Sequence, residues 1–211
     1  MLRISSGNWR GRLIQAPPGD KTRPSSARLR QALFNSLQTR LEGARVLDLF
    51  AGSGALAFEA LSRGAEFAVC VENARGALVV LKKNIETLKA ERQCRVVADD
   101  VGHSSGVLEK WAPFDLVFAD PPYSADWEMR LIEKFSWPKL LQEEGLLVIE
   151  WSQVKSVVSE LPEVHELGSG LRLIRVREKV YGDSILTTYR MTRDEVTPLE
   201  SDQASDQEDE S

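Results

Sequence analysis

The sequence predicts one α/β domain built on a mostly parallel β-sheet with helices on both faces. Three observations predict it. Apolar runs of strand type alternate with helical patterns through most of the chain. One such run, Arg45-Val-Leu-Asp48-Leu, passes directly into Phe50-Ala-Gly52-Ser-Gly54 and then a helical pattern. The next apolar run, Phe67-Ala-Val-Cys-Val, ends on a second acid, Glu72, about 20 residues on.

Each element follows from local pattern. Residues 2–15 alternate loosely around Gly7 and Gly11, as in a short hairpin. An extended loop through Pro17, Pro18, Arg23 and Pro24 follows. Ser25 or Ser26 can cap a helix running to about Arg40, with Leu29, Ala32, Leu33 and Leu37 on one face. Arg28, Gln31 and Asn35 share another face, and Arg30 projects in a third direction. Strands are expected near 45–50, 67–72, 94–98, 115–120 and 145–151, and helices near 54–63, 74–90, 103–111, 126–135 and 153–160. The continuous apolar run of residues 145–151 suits a buried parallel strand. Residues 171–181 and 184–191 read as two further strands joined at Gly182-Asp183, an antiparallel pair closing the sheet. From Thr192 onward aromatics vanish and acids dominate, so disorder is expected there.

Length and composition set bounds. At 211 residues and 42% hydrophobic, the chain holds one such domain with a small extension, and two full domains are not expected. No run approaches the ~18 apolar residues of a membrane span, and the N-terminus has no apolar signal core. Cys70 and Cys94 lie inside strand-like runs, where buried free thiols and a reducing cytoplasm are expected. With only these and His103 and His165, no zinc spacing exists and no metal is expected.

The net charge of −5 hides two opposite ends. Residues 194–211 hold eight acids and no base; without them 27 bases face 24 acids, a body of about +3. Residues 1–45 hold nine bases and two acids. A basic head suits a phosphate backbone.

The glycine turn allows a ligand to approach the backbone closely, and an acid closing the next strand suits a ribose diol. Leu56 and Ala57 replace the rest of a dinucleotide fingerprint. The most specific signal is Phe114-Asp-Leu-Val-Phe-Ala-Asp120-Pro121-Pro122-Tyr123. A buried strand runs into an acid and two prolines, which cannot extend the ladder and fix the backbone. Asp120 and the Pro121 carbonyl are acceptors, and Tyr123 offers a flat face for stacking. Together they suit a planar ring carrying an exocyclic amine, whose hydrogens two acceptors can hold.

In order, Asp48 to Gly54, Glu72, Asp99-Asp100 and Asp120 to Tyr123 resemble the class I S-adenosylmethionine-dependent methyltransferases acting on exocyclic amines. Arg10-Gly-Arg12, Thr22-Arg23-Pro24, the helix with Phe34-Asn35, and Glu59-Ala-Leu-Ser-Arg63-Gly extend the resemblance to the bacterial 16S ribosomal RNA guanine-N2 methyltransferases, which modify guanine 966. It covers residues 3 to about 191. The chain departs from the family pattern at Ala27 and Gln31, both outside the cofactor pocket.

The resemblance implies a Rossmann-like fold with a seven-stranded, mostly parallel sheet, an antiparallel last strand and a flexible N-terminal extension. It divides the chain into an extension (1–44), a methyltransferase domain (45–191) and an acidic tail (192–211). Asp48, Phe50, Gly52, Gly54, Glu72, Asn73, Asp99, Asp100 and Asp120 would bind S-adenosylmethionine. Glu72 would take the ribose hydroxyls and Asp100, or its competitor Asp99, the adenine amine. Asp120, Pro121, Pro122 and Tyr123 would present the guanine. Arg10, Arg12, Arg23, Arg28 and Arg30 would contact RNA. A cytoplasmic monomer acting on 16S rRNA in the small ribosomal subunit is expected. The Asp-Pro-Pro-Tyr motif is shared with adenine-N6 enzymes, and a non-catalytic assembly factor is a third reading.

Overall fold

The structure, a computed structural model, describes residues 1–17, 24–122, 126–152, 154, 156 and 159–193. The N-terminal hairpin pairs β1 (Leu2–Arg3) with β2 (Leu13–Ile14). Helix α1 (Pro24–Ser36) follows, then a single 3-10 turn, Gln38–Arg40. The core units are β3 (Arg45–Asp48), α2 (Ala55–Ser62), β4 (Phe67–Val71), α3 (Arg75–Leu88) and β5 (Cys94–Val97). Beyond them lie α4 (Ser105–Leu108), β6 (Phe114–Ala119), α5 (Trp127–Lys134), α6 (Trp137–Leu140) and β7 (Leu141–Trp151). The chain closes with β8 (Val164–Gly168), β9 (Leu171–Tyr181) and β10 (Ser184–Thr192).

The main sheet has eight strands among the described residues, in the order β5-β4-β3-β6-β7-β10-β9-β8. The first five are parallel, and the last three run antiparallel to their neighbours. The count exceeds the expected seven because β8 adds an edge strand; its alternation is weak and its residues are half-exposed. The order places a switch point between β3 and β6. Successive strands step outward from β3 in one direction and from β6 in the other, which opens a crevice at their carboxyl ends.

One face of the sheet carries Val46, Cys70, Leu116, Phe118 and Val148 and is covered by α1, α2 and α3. The other carries Leu47, Val69, Val117, Leu147 and Ile149 and is covered by α5, α6 and Leu108. This alternation is the pleat expressed in sequence.

Three helical expectations change. The helix expected at 103–111 is a 3-10 turn, Val101–His103, and the short α4. Of the helix expected at 153–160, residues 154, 156, 159 and 160 are non-helical, and the others lie outside the described residues. Ser156 N–H donates to the Ser152 carbonyl at 2.7 Å, one isolated helix-like turn, while its Oγ accepts from Ser152 N–H and donates to Glu128. The short α6 was not expected; Pro138 sits in its first turn.

The described residues of the extension pack on the core. Ile4, Ile14, Leu29, Leu33 and Phe34 belong to the same core cluster as Val46 and Phe118. Gly7 lies so close to α2 that a Cβ there would stand 1.6 Å from the Ser62 carbonyl oxygen. The backbone N–H groups of Asn8 and Trp9 donate to Ser62 at 2.7 and 2.8 Å.

Candidate active site

Asp48 ends β3 and faces the crevice side. It is 1% exposed. Its Oδ2 accepts from the Ala57 N–H at 3.3 Å, while Oδ1 is buried with no hydrogen-bond partner among the described residues. Burial pushes its carboxyl up to about 7; Glu72 adds to the rise, and the Ala57 and Phe50 N–H groups oppose it.

The loop after Asp48 turns on two glycines with positive φ, 51° at Gly52 and 80° at Gly54. A Cβ on Gly54 would stand 2.5 Å from the Phe58 ring, whereas one on Gly52 would meet open space, so Gly54 serves packing and Gly52 faces the crevice. Asn84, fully buried on α3, holds this loop through the Ser53 carbonyl at 2.9 Å. It also bonds Gln15 in both directions, at 2.8 and 2.9 Å. Phe50 packs edge-on against Trp127, centroids 5.3 Å apart, and the Arg130 guanidinium lies 3.9 Å over the Trp127 ring.

Glu72 fastens the loop from the next strand. Its Oε2 accepts from Gly52 N–H at 2.8 Å, and its Oε1 accepts from Asn73 and Ala74 N–H at 2.9 and 2.7 Å. A carboxylate has about four acceptor positions, so a ribose hydroxyl must use the remaining one or exchange with a backbone donor. Asn73 donates to Asp100 Oδ2 at 3.0 Å, and Asp100 Oδ1 accepts from Gly102 N–H at 2.8 Å. Asp99 Oδ1 caps the Asp100 N–H at 2.8 Å. Both acids therefore belong to one turn, and Asp100 is the one joined to the Glu72 strand.

Across the switch point β6 delivers Asp120, which is exposed, with Pro121 buried and Pro122 exposed. Tyr123 lies outside the described residues. Helix α1 covers this strand end, with the Phe34 and Phe118 rings 5.4 Å apart. The next strand contributes Glu150, which the sequence reading took only as part of the buried run 145–151. The available signal was an acid closing the apolar residues 146–149.

The five arginines expected on RNA separate. Arg10 and Arg28 are exposed, and Arg23 lies outside the described residues. Arg12 is exposed but donates to the Thr87 and Leu88 carbonyls at the end of α3. Arg30 is corrected: it is 8% exposed, donates to the Arg3 carbonyl at 2.9 Å and pairs with Glu59 at 3.8 Å. Burial lowers its pKa, opposed by Glu59. Glu59, fully buried on α2, also accepts from Ser5 N–H and Oγ and from Arg63 Nε at 2.9, 2.6 and 2.8 Å. A buried carboxylate demands such partners, and Arg30 supplies one instead of facing solvent.

A crevice at a switch point, walled by a glycine loop on one strand and an Asp-Pro-Pro turn on its neighbour, is where a class I S-adenosylmethionine-dependent methyltransferase does its chemistry. The fold is of that class. The solved structure of yhhF from Escherichia coli matches it with a TM-score of 0.72 at 36% identity, covering 92% of this chain and 99% of that one. The chain belongs to the family described as Conserved hypothetical protein 95, whose model matches residues 2–190. Its relatives include the ribosomal RNA small subunit methyltransferase D of Escherichia coli (strain K12), 36% identical over 192 residues, covering 90% of this chain and 89% of the relative. YlbH of Bacillus subtilis (strain 168) is 32% identical over 190 residues, covering 90% of this chain and 98% of the relative.

Proposed function

We propose that this protein transfers a methyl group from S-adenosylmethionine to the exocyclic N2 amine of a guanine in the 16S rRNA of the small ribosomal subunit, acting as a cytoplasmic monomer. The observation that carries the reading is the placement of Asp120 and the Pro121 carbonyl at the carboxyl end of β6. They stand one strand away from the Asp48–Gly54 loop and under a basic extension docked on the same face. The name of the Escherichia coli relative supports rRNA as substrate.

The cofactor fits this chain. The unpartnered, buried Asp48 Oδ1 asks for a cationic or donor group, and Gly52 leaves the backbone open to a ligand. Asp48, Phe50, Gly52 and Gly54 hold the methionine end in this reading. Glu72 takes the ribose, and Asn73, Asp99 and Asp100 flank the adenine. When bound, S-adenosylmethionine supplies an electrophilic methyl group on its sulfonium. Asp120 and the Pro121 carbonyl accept the two N2 hydrogens and turn the nitrogen lone pair toward that methyl; Tyr123 stacks on the base. The protein's part is alignment. The exposed Arg10 and Arg28, with Arg12 and Arg23, meet RNA phosphates.

The test is methyl transfer from labelled S-adenosylmethionine to small subunits lacking base methylation, followed by nucleoside digestion. Free rRNA, duplex DNA and Asp120→Ala protein run beside it. Label in N2-methylguanosine, lost in the variant, is expected. Label in N6-methyladenine would keep the mechanism and overturn the substrate. No transfer, with cofactor still bound, would overturn catalysis and favour an assembly factor.

A further inference from the structure

Asp120 has a neighbour that its motif does not name. β6 and β7 are parallel and pair as Val117↔Leu147, Phe118↔Val148 and Ala119↔Ile149. One step further along each chain sets Asp120 beside Glu150. Alternation puts Glu150 on the face of Leu146 and Val148, which is also the face of Phe118 and of the docked α1. Adjacent strands lie about 4.8 Å apart, so carboxylates in register can reach neighbouring donors on one planar ring.

Glu150 is half-buried. Burial raises its pKa, and a hydrogen bond with the Ser184 side chain opposes the rise. On its far side the strand pairs with β10 through Leu186, and Ser184 begins that strand. A carboxyl kept partly desolvated at the carboxyl end of a central strand is unfavourable unless partners recover the cost. The crevice beside Asp120 is where a further donor would come from.

Guanine supplies such a donor. Its Watson–Crick edge carries the N2 amine and, next to it, N1–H. Adenine presents a lone pair at N1 beside its amine, which would face the carboxylate unfavourably. We propose that Glu150 is a specificity-determining residue of this site, its carboxylate accepting the N1–H of the target guanine while Asp120 and Pro121 hold N2. This rests on the guanine-N2 reading above. It gives the site a reason to prefer guanine that the Asp-Pro-Pro-Tyr motif does not contain.

The test compares RNA fragments spanning the methylated guanine that carry either guanine or 2-aminopurine at that position. The analogue keeps the 2-amino group and lacks the N1 hydrogen. We expect the wild type to favour guanine in kcat/KM by roughly ten- to a hundredfold, the range for one base contact. Glu150→Ala lowers kcat/KM for guanine by that factor and leaves 2-aminopurine nearly unchanged, so the preference collapses. Glu150→Gln, which keeps a carbonyl acceptor, falls between. Unchanged S-adenosylmethionine binding in both variants shows that the fold is intact. Should the alanine variant lose that binding, the glutamine variant alone decides, with a preference several-fold below wild type expected. A merely structural role would lower both substrates together and preserve their ratio, and that result overturns the assignment. A wild type that labels adenine refutes the guanine-N2 reading itself, before any variant is compared.

Discussion

With Asp48 in its proposed place at the methionine end, the affinity for S-adenosylmethionine should depend on pH, and Asp48→Asn should remove that dependence. The carboxyl is buried, its Oδ1 is unpartnered, and its pKa is about 7 against an ordinary 3.8. That difference corresponds to about 4 kcal/mol for holding the ionised form in the ligand-free protein. A sulfonium or ammonium beside it favours the anion, so binding near pH 6 releases close to one proton. The ionised fraction falls from about one half at pH 7 to about one hundredth at pH 5, so affinity should fall roughly fiftyfold over that window. The ligand's own α-amino group titrates near pH 8, and the asparagine variant subtracts its effect. Titration calorimetry at pH 5, 6 and 7, in two buffers of different ionisation enthalpy, reads both quantities. Stability gives an independent check. The folded state binds this proton more tightly than the unfolded state. The group therefore costs nothing below about pH 4, costs more as pH rises through 4 to 7, and is constant above that. Ligand-free Asp48→Asn should thus gain melting temperature over wild type at pH 8 and not at pH 4. A wild-type affinity flat from pH 5 to 7, with no proton release, would refute the reasoning.

Other outcomes are expected from the same geometry. Asp120→Ala should abolish transfer while cofactor affinity stays within about tenfold, roughly 1.4 kcal/mol; joint loss in calorimetry and in the transfer assay would contradict the division between the two strands. Arg28→Ala should reduce the salt slope of RNA binding by about one without changing the melting temperature. Arg30→Ala should instead lower stability by about 1–2 kcal/mol, because it removes the bond to the Arg3 carbonyl and one of the two cations beside buried Glu59; equal effects of the two on melting would undo that contrast. Cys70 and Cys94 are buried with sulfurs 3.7 Å apart, and the hydrogen bond with Cys94, then burial, raises the Cys70 pKa. Neither should react with a thiol reagent until the protein unfolds, and rapid native labelling would count against their burial.

The parallel half of the sheet was legible because its determinants are local. Val46-Leu47 and Leu116 to Ala119 are short apolar runs, each followed at once by an acid, Asp48 or Asp120, and then by a glycine or proline turn that stops the strand. The site inherited that clarity, since Asp48, Glu72 and Asp120 are strand-terminal acids. What was illegible depends on contacts distant in sequence. Arg30 reads as a surface base in a helix with no other inward charge, and only Glu59, on another helix, turns it inward. Glu150 gains meaning from a register between strands whose paired residues lie about 30 positions apart. Residues 153–160 read as helical by local pattern, and that pattern does not show the bond from Ser156 Oγ to Glu128, 28 positions away. β8 is an edge whose pattern is set by one neighbour alone.

The docking of the extension bears on how recognition and chemistry are joined. Asn84 bonds the Ser53 carbonyl of the glycine loop and, with the same side chain, both backbone groups of Gln15 just after the hairpin. Glu59, one turn into the helix that the glycine loop starts, binds Ser5 of the hairpin and Arg30 of α1. Phe34 of α1 packs on Phe118, two residues before Asp120. The basic head is thus tied separately to the strand proposed to present the target base and to the loop proposed to hold the methyl donor. Each tie rests on a buried side chain, Asn84, Glu59 or Phe34, so breaking one leaves unpaired polar groups or a cavity and costs on the order of a few kcal/mol. A segment bound this way is a fixed wall of the crevice, and an RNA engaging Arg10 and Arg28 as proposed would be positioned relative to Asp120 by the core of the protein itself.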